Sequence, residues 1–319
     1  MGSKTSVQHV GICGIGQMGA AAAVSFRRAG YRVLLWARNP DRLKAVGSTL
    51  ARLDAWLDEN VGPATVEGGD IVRIENLQQM DRDAELIMDC IAEDMGQKVE
   101  LFRSFTAAQE RGSIFITTTS GLSITEMGKQ SGHASHLVGT HFWNPPHLIP
   151  LVEVIRTEET DETVVDTVCE VVRALGKTPV KVERDVPGFI GNRLLHALFR
   201  EAISLVERGI ASAEDVDLVA RYTFGLRLPV LGPLENMDLV GLDLIETIHK
   251  YLLADLADNR GPSKLLSGMV NNKELGMKGD QGFFDWRSRD KNAVIERRDK
   301  QIVQQLKYLR EIDKLRRTE

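Results

Sequence analysis

The chain has 319 residues, of which 43% are hydrophobic and 27% are charged, and its formal net charge is −5. This length predicts two domains, each able to bury a core, and the small negative charge argues against nucleic acid or an anionic membrane as a partner. Three cysteines without CxxC spacing, an N-terminus without a long apolar core, and no apolar run of membrane-spanning length predict a cytoplasmic protein.

Residues 1–186 alternate strand-like and helix-like stretches. Asn39 followed by Pro40 is typical of a cap and a first helical residue, and a helix is predicted through 43–59. Apolar strands separated by helices indicate an α/β domain with a Rossmann-type, doubly wound, mainly parallel sheet. The predicted strands are 9–13, 32–38, 71–76, 84–92, 113–119, 136–142, 151–155 and 178–184, and the other predicted helices are 17–30, 97–110 and 162–175.

Residues 187–319 have helical periodicity almost throughout and predict an all-helical second domain. Ser212 has the position of a helix cap, and 236–257 is predicted as one helix. The tail, 295–319, is strongly charged, but its acids alternate with its bases. This mixture favours a solvated or dimer-packed helix over a nucleic-acid-binding arm.

A GxGxxG motif follows the first predicted strand and opens the first predicted helix. In a dinucleotide site the first glycine permits a tight turn, the second lets the backbone approach a pyrophosphate, and the third allows close helix–strand packing. Exposed N–H groups at the start of the helix then face the phosphate charge. The alternative is a tight turn without a ligand. The candidate cofactor residues in this loop are Gly14, Ile15, Gly16, Gln17, Met18 and Gly19.

The second predicted strand ends without the carboxylate that usually binds the ribose 2′-hydroxyl of NAD. Arg38 and Asn39 stand there instead. Since a guanidinium group can pair with a 2′-phosphate, NADP is favoured modestly over NAD. The alternative is that Arg38 is only a solvated strand end and that NAD is used.

The stretch GTHFWNPPHLIPLVEVI, residues 139–155, combines histidine, proline and a lone acid in an apolar run. Imidazole suits the acid/base chemistry of alcohol oxidation, and a carboxylate on its other nitrogen fixes the tautomer. His141 and His147 are both candidate bases on these grounds. Glu153 is costly to bury unless it is paired. The prolines between these residues predict a chain reversal that returns the acid to an imidazole.

Eight motifs in order resemble the L-3-hydroxyacyl-CoA dehydrogenase family across roughly residues 8–286. The HFxNP…LVEV pattern followed by DxPGFxxNR is far more specific than GxGxxG. The resemblance implies a dinucleotide-binding domain plus a helical domain that dimerises, and hence a homodimer. The motifs are Gly14–Gly19, Glu93, TTTSGLSIT (117–125), HFWNPP (141–146), LVEVI (151–155), DVPGFIGNRLL (185–195), LGPLE (231–235) and GMKGDQGFF (276–284).

The resemblance also implies roles for individual residues. His141 is implied as the general acid/base, and Glu153 as the carboxylate that orients it. Ser120 and Asn192 are implied to hydrogen-bond the reacting oxygen, and no metal is implied. The residues implied to contact the nicotinamide half of the cofactor are Glu93, Lys98, Ser120, Asn144 and Lys278.

The family pattern fails where members acting on CoA thioesters carry lysines. The stretch 48–63 has no lysine and contains Asp54, Asp58 and Glu59, a poor partner for a polyanionic CoA tail. Gly121 also stands where CoA enzymes more often have serine. Both departures favour a smaller acid without CoA, as in the related gulonate and pyridine-carboxylate dehydrogenases. Arg193 or Arg227 would then bind the substrate carboxylate.

The sequence therefore predicts an NAD(P)-dependent oxidoreductase that interconverts a secondary 3-hydroxyl group and a ketone by hydride transfer. Its substrate is a 3-hydroxyacyl-CoA or a smaller hydroxy acid. One alternative is a catalytically silent structural protein of the same fold, like the lens crystallins related to the family. Another is a 6-phosphogluconate-like or glycerol-phosphate-like dehydrogenase, which leaves the HFxNP…LVEV pattern unexplained.

Overall fold

The structure is a computed structural model that describes residues 7–316, with the side chains of 313–316 excepted. The first six residues, on which the prediction about the N-terminus partly rests, and the last three residues of the charged tail lie outside it. The described chain divides after Arg193 into two compact units. The first is an α/β unit and the second is helical.

One eight-stranded sheet forms the centre of the first unit. Its order is β3-β2-β1-β4-β5-β6-β7-β8, and every neighbouring pair is parallel except β6 and β7. Most of the central strands are fully buried, as expected for apolar strands with helices on both faces. The predicted mainly parallel sheet is confirmed. The strands are β1 His9–Cys13, β2 Arg32–Trp36, β3 Asp70–Arg73, β4 Leu86–Asp89, β5 Ile114–Thr117, β6 Leu137–Phe142, β7 Leu151–Ile155 and β8 Thr178–Val182.

Seven described helices connect these strands. Asn39 caps α2 as predicted, since its side chain accepts a hydrogen bond from the Arg42 N–H at 3.0 Å. The predicted helix 97–110 is instead two helices, because Phe105 leaves helical geometry and buries its ring beside Phe115. Helices α3 and α6 were not predicted. The helices are α1 Gln17–Arg28, α2 Pro40–Asn60, α3 Leu77–Asp83, α4 Met95–Arg103, α5 Thr106–Glu110, α6 Ile124–Ser131 and α7 Glu162–Ala174.

The remaining helices account for most of the chain after residue 190, and the first of them spans the division between the units. The Ser212 side chain accepts a hydrogen bond from the Asp215 N–H at 3.1 Å, so the predicted cap is present. The single helix predicted over 236–257 is wrong, because Gly241 adopts a φ of 105° and breaks it. These helices are α8 Gly191–Glu207, α9 Ala213–Tyr222, α10 Phe224–Arg227, α11 Pro233–Val240, α12 Leu242–Leu252, α13 Lys264–Asn271 and α14 Lys291–Arg316.

Over residues 7–316, no helix is both long and apolar enough to cross a membrane. Within the same range, no group of three or more histidine, cysteine or acidic side chains is arranged to hold a metal ion.

His133 is a buried histidine in the core of the first unit. Its Nε2 lies 2.8 Å from the Phe102 carbonyl oxygen, its ring contacts Phe115, and its Nδ1 has no hydrogen-bond partner within the part of the chain that the structure describes. Burial lowers the pKa of His133 below its ordinary value, with the Phe102 carbonyl opposing. The folded protein therefore keeps this ring neutral at pH values where the unfolded chain protonates it.

This difference predicts a loss of stability in mild acid. Below about pH 6.5 the unfolded state binds more protons at His133, so its contribution to folding is full above that pH and is lost as the pH falls. The melting temperature of a His133→Phe variant is expected to vary less between pH 7 and pH 5 than that of the wild type, roughly the span over which histidine titrates. His249→Gln, on exposed helix α12, is the matched control and should keep the wild-type slope. An unchanged slope in the His133 variant would show that this ring is not the titrating group.

Candidate active site

The segments predicted to carry the chemistry share one edge of the sheet. Strands β1, β4, β5 and β6 are parallel, so the residues at their carboxyl ends lie on the same side. Ligands of open α/β sheets bind at this edge. The segments there are the glycine loop after β1, Glu93 after β4, Ser120 after β5 and His141 near the end of β6.

The glycine loop has the geometry of a phosphate-binding turn. Gly14 has a φ of 121° and its N–H donates to the Trp36 carbonyl at 2.8 Å. A Cβ atom on Gly19 would overlap the Gly14 carbonyl oxygen, so close packing requires glycine there. Gly16, which caps α1, has open space where its Cβ would be. Gly14 and Gly19 thus meet the turn and packing requirements predicted for them.

A cavity of about 1020 Å³ opens beside this loop, and its size and lining fit a dinucleotide. Besides the loop, it is lined by Trp36 at the end of β2, by Arg38 and Asn39 just after that strand, and by Cys90 after β4. The exposed Arg38 guanidinium donates to the Gln97 side chain at 3.1 Å. Asn39 uses its side chain to cap α2. Burial raises the pKa of Cys90 to about 12, so this wall of the cavity presents a neutral thiol.

His141 and Glu153 face each other across the antiparallel strands β6 and β7. They are register partners, and His141 Nδ1 lies 2.6 Å from Glu153 Oε2. His141 is 5% exposed, and its imidazole packs against the rings of Trp143 and Phe189. With Nδ1 engaged, Nε2 is the nitrogen left for proton transfer. The two side chains are therefore a buried imidazole–carboxylate pair.

The chain reversal between β6 and β7 contains the predicted prolines, and the Asn144–Pro145 peptide bond is cis. The buried Lys177 ammonium donates to the carbonyl oxygens of Pro146 and Ile149, each at 2.7 Å. Burial lowers the pKa of Lys177 to about 8. This turn places Glu153 beside His141 and not beside His147, whose ring packs edge-on against Trp56 of α2.

The Glu153 carboxylate accepts hydrogen bonds from the backbone in addition to its pairing with His141. Its Oε1 accepts hydrogen bonds from the N–H groups of Ile190 and Gly191, both at 2.9 Å. Burial alone raises the pKa of this carboxyl group, but the hydrogen bonds from His141, Gly191 and Ile190 outweigh it and lower the pKa of Glu153 below its ordinary value. The carboxylate therefore stays charged beside the imidazole.

The loop after β5 is held by Glu93. Glu93 Oε1 accepts hydrogen bonds from the Thr119 hydroxyl at 2.5 Å and from the Ser120 N–H at 2.9 Å. The Asn192 side chain donates to the Ser120 carbonyl oxygen at 3.3 Å, so Ser120 and Asn192 are brought together. Lys98 is 1% exposed and pairs with Asp89 at 2.6 Å.

The other predicted residues are placed as follows. Asn144 is exposed at the cis peptide bond of the β6–β7 turn. Arg193 is exposed in the first turn of α8, next to Asn192. Lys278 and Arg227 are exposed in the helical unit, Lys278 in the segment between α13 and α14.

Sequence reasoning missed the backbone donors of Ile190 and Gly191. They reach Glu153 because Gly188 and Phe189 have φ values of 78° and 48°, which turn the chain sharply before α8. A buried phenylalanine in the left-handed region is uncommon and is tolerated only where its surroundings hold it. The PGF motif indicated this turn, but it did not indicate that the turn's N–H groups donate to Glu153.

The fold and this site define a nicotinamide-dependent dehydrogenase with a two-unit chain, a glycine-rich dinucleotide loop and an imidazole–carboxylate pair. Residues 9–186 match the family model described as 3-hydroxyacyl-CoA dehydrogenase, NAD binding domain, and residues 188–286 match that of its C-terminal domain. The chain belongs to the 3-hydroxyacyl-CoA dehydrogenase family, and the predicted resemblance is confirmed.

Individual relatives cover nearly the whole chain. A 5-formyl-3-hydroxy-2-methylpyridine 4-carboxylate 5-dehydrogenase of Mesorhizobium japonicum is 29% identical over 93% of this chain and 96% of its own. A probable 3-hydroxybutyryl-CoA dehydrogenase of Bacillus subtilis is 33% identical over 88% and 98%. A crystal structure of 5-formyl-3-hydroxy-2-methylpyridine 4-carboxylic acid 5-dehydrogenase, described as an NAD+-dependent dismutase, has a TM-score of 0.90 and 29% identity, covering 95% and 99%. These relatives support an active dehydrogenase and not the silent structural alternative.

Proposed function

We propose that this chain oxidises the secondary hydroxyl group of a small 3-hydroxy acid, and reduces the matching ketone, with NAD as the hydride carrier. The observation that carries this proposal is the buried His141–Glu153 pair at the sheet edge that also carries the glycine loop. A bound nicotinamide ring supplies the hydride acceptor, which no side chain can provide.

The side chains supply proton transfer and orientation. In oxidation, His141 Nε2 takes the hydroxyl proton, and the Glu153 carboxylate stabilises the imidazolium that forms. The Ser120 hydroxyl and the Asn192 amide stabilise charge on the oxygen as it changes between alkoxide and carbonyl. In reduction, His141 returns the proton.

For the cofactor, we propose NAD, with Arg38 as the contact that also admits NADP. The family model is that of an NAD-binding domain, and the crystallised relative is described as NAD+-dependent. Neither supports the NADP preference drawn from Arg38. The exposed guanidinium nevertheless lines the cavity at the end of β2, where a 2′-phosphate would come close. Glu93, Asn144 and Lys278 are proposed contacts of the nicotinamide half, on the resemblance alone.

An Arg38→Ala variant should separate the two cofactors. A charge-assisted hydrogen bond contributes about 1.5–3 kcal/mol, so kcat/KM with NADP is expected to fall at least about tenfold while kcat/KM with NAD stays within about twofold. Steady-state rates with each cofactor measure this. Arg52→Ala, exposed on α2 and outside the cavity lining, is the matched control. Equal losses with both cofactors would show that Arg38 does not contact the phosphate.

For the substrate, we propose a free acid without CoA. Asp54 and Asp58 on α2 are neutralised by Arg28 of α1, at 2.9 and 2.7 Å, so their charge is a weaker argument against CoA than the sequence suggested. The absence of lysine from 48–63 remains. The name of the pyridine carboxylate relative, whose crystallised counterpart aligns at a TM-score of 0.90, also favours a free acid.

Initial rates over a substrate panel test this function. The panel contains gulonate, small 3-hydroxy acids and pyridine carboxylates as free acids, and 3-hydroxybutyryl-CoA and acetoacetyl-CoA as thioesters. We expect turnover of at least one free acid and little turnover of the thioesters. Strong turnover of acetoacetyl-CoA would contradict the free-acid proposal, and no turnover of any alcohol or ketone would contradict the function itself.

Arg193 is the proposed partner of the substrate carboxylate, because it follows Asn192 in the turn whose N–H groups hold Glu153. Loss of such an ion pair is worth about 1.5–3 kcal/mol, so Arg193→Ala is expected to raise KM for the acid roughly tenfold to a hundredfold with a smaller effect on kcat. Arg200→Ala, further along the same helix, is the matched control. An unchanged KM would remove Arg193 from this role and leave Arg227 as the other candidate.

A homodimer formed through the helical unit, at residues 187–319, is the proposed assembly. None of the residues of helices α8–α13 is buried in the single chain, and large apolar side chains such as Leu234 and Leu239 are each 72% exposed. Such a surface indicates an interface. The proposed boundary with the dinucleotide-binding domain, 1–186, is supported by the change of family match between 186 and 188. A cytoplasmic location remains a prediction.

A further inference from the structure

Asp89 and Lys98 form a fully buried ion pair that the proposed chemistry does not use. Asp89 ends β4 with 0% exposure, Lys98 lies in α4 with 1%, and their charged atoms are 2.6 Å apart. Burying two charges costs desolvation that their attraction often only offsets, so such a pair is weak evidence of stabilisation. Its presence at the sheet edge that carries the candidate site calls for another explanation.

Both oxygens of Asp89 are engaged. Oδ1 accepts a hydrogen bond from the Ile91 N–H at 3.0 Å. Oδ2 accepts from the Lys98 ammonium and from the Thr117 hydroxyl at 2.8 Å. Asp89 therefore ties the carboxyl ends of β4 and β5 to helix α4.

Lys98 extends this connection to the loop of Ser120. Its Nζ lies 3.6 Å from Glu93 Oε2, while the other oxygen of Glu93 accepts from the Thr119 hydroxyl and the Ser120 N–H. The Glu93 side chain is 48% exposed, so solvent competes for its carboxylate. The Lys98 ammonium is the cation that draws this carboxylate back against the loop.

We propose that Asp89 and Lys98 are positioning residues that hold Glu93 against Thr119 and Ser120, and so fix the Ser120 hydroxyl for the reacting oxygen. This inference rests on the proposed function. It also gives Lys98 a different task from the cofactor contact that the family resemblance implies, because its ammonium is enclosed by Asp89 and Glu93.

The test uses the full chain with the double substitution Asp89→Asn and Lys98→Met. Either single substitution leaves a buried charge unpaired and destabilises the fold, whereas the double variant leaves none. Hydrogen exchange at the Ser120 amide is measured without substrate, NAD affinity by titration, and kcat with the acid that the panel identifies. Exchange is expected to accelerate at least about tenfold. The kcat is expected to fall about 10- to 100-fold through misplacement of Ser120. The NAD dissociation constant is expected to change by a smaller factor, because the glycine loop is intact and only the proposed Glu93 contact moves.

Asp81→Asn is the control, because its carboxylate also holds backbone N–H groups, those of Ala107 and Ala108, but at the start of α5, the helix before β5. It should lower the melting temperature and leave Ser120 exchange unchanged. Wild-type kcat in the double variant, or unchanged Ser120 exchange, would overturn the proposal. If the double variant does not fold, Glu93→Gln removes the contact between the Lys98 ammonium and the half-exposed Glu93 carboxylate. Unchanged Ser120 exchange in that variant would equally contradict the proposal. A wild-type enzyme without turnover would instead contradict the proposed function, and the exchange result would still decide the positioning role.

Discussion

Replacement of His141 by Asn is expected to lower kcat by about 100- to 10,000-fold, the range that a positioned general acid/base contributes. The substitution removes the imidazole ring whose Nδ1 is held by Glu153 and whose Nε2 is left to take the substrate proton. NAD affinity should change little, because the imidazole lies on β6 and outside the lining of the dinucleotide cavity. Steady-state kinetics and NAD titration measure the two effects separately.

His147 provides the matched control for this experiment. It lies in the turn that follows β6 and was an equal candidate on sequence grounds, but its ring packs against Trp56, and the Glu153 carboxylate pairs with His141. His147→Gln should keep kcat within about threefold of wild type, because a side chain that does not transfer the substrate proton does not accelerate that step. A large loss in the His147 variant with a small one in the His141 variant would reverse the assignment.

Replacement of Glu153 by Gln is expected to lower kcat by about 100- to 10,000-fold, close to the loss of His141 itself. The amide oxygen can still accept from Ile190 and Gly191, which leaves the amide NH₂ pointing at His141 Nδ1. Nδ1 must then accept a hydrogen bond, so the proton moves to Nε2 and the imidazole can no longer act as a base. The imidazolium also loses its counter-charge.

The fold should survive this substitution, because Gln keeps the shape of Glu and both backbone hydrogen bonds. Near-wild-type melting with low kcat is therefore the expected combination, measured by thermal denaturation and kinetics on one preparation. Glu162→Gln, an exposed member of an ion pair with Arg156, is the control and should leave kcat unchanged. A Glu153→Gln enzyme with wild-type kcat would mean that the carboxylate only supports the sheet.

The sequence predicted most of what positions the chemistry. The glycine loop was recognisable because its requirements are local: one turn, one close approach and one packing contact, each met by a single glycine. The pairing of His141 with Glu153 was also predictable in outline, since the prolines between them required a reversal. The choice of His141 over His147 came from the family resemblance alone, because register across a hairpin depends on where the turn falls.

The parts that escaped prediction depend on tertiary contacts. Phe105 interrupts a helical pattern because its ring is buried in the core beside Phe115, a gain that outweighs local propensity. The N–H groups of Ile190 and Gly191 reach Glu153 across 37 and 38 residues of chain, and backbone donors leave no trace in a sequence. Asp89 stands inside the predicted strand 84–92, and its burial and its pairing with Lys98 become visible only in the structure.

The most direct test of the account is a crystal structure of the complex with NAD and the acid substrate. We predict that His141 Nε2 lies about 2.6–3.2 Å from the substrate hydroxyl oxygen, with Nδ1 still paired with Glu153 and with the Ser120 and Asn192 side chains hydrogen-bonded to the same oxygen. A substrate oxygen bound beside His147, or beside a lysine of the helical unit with His141 turned away, would contradict it.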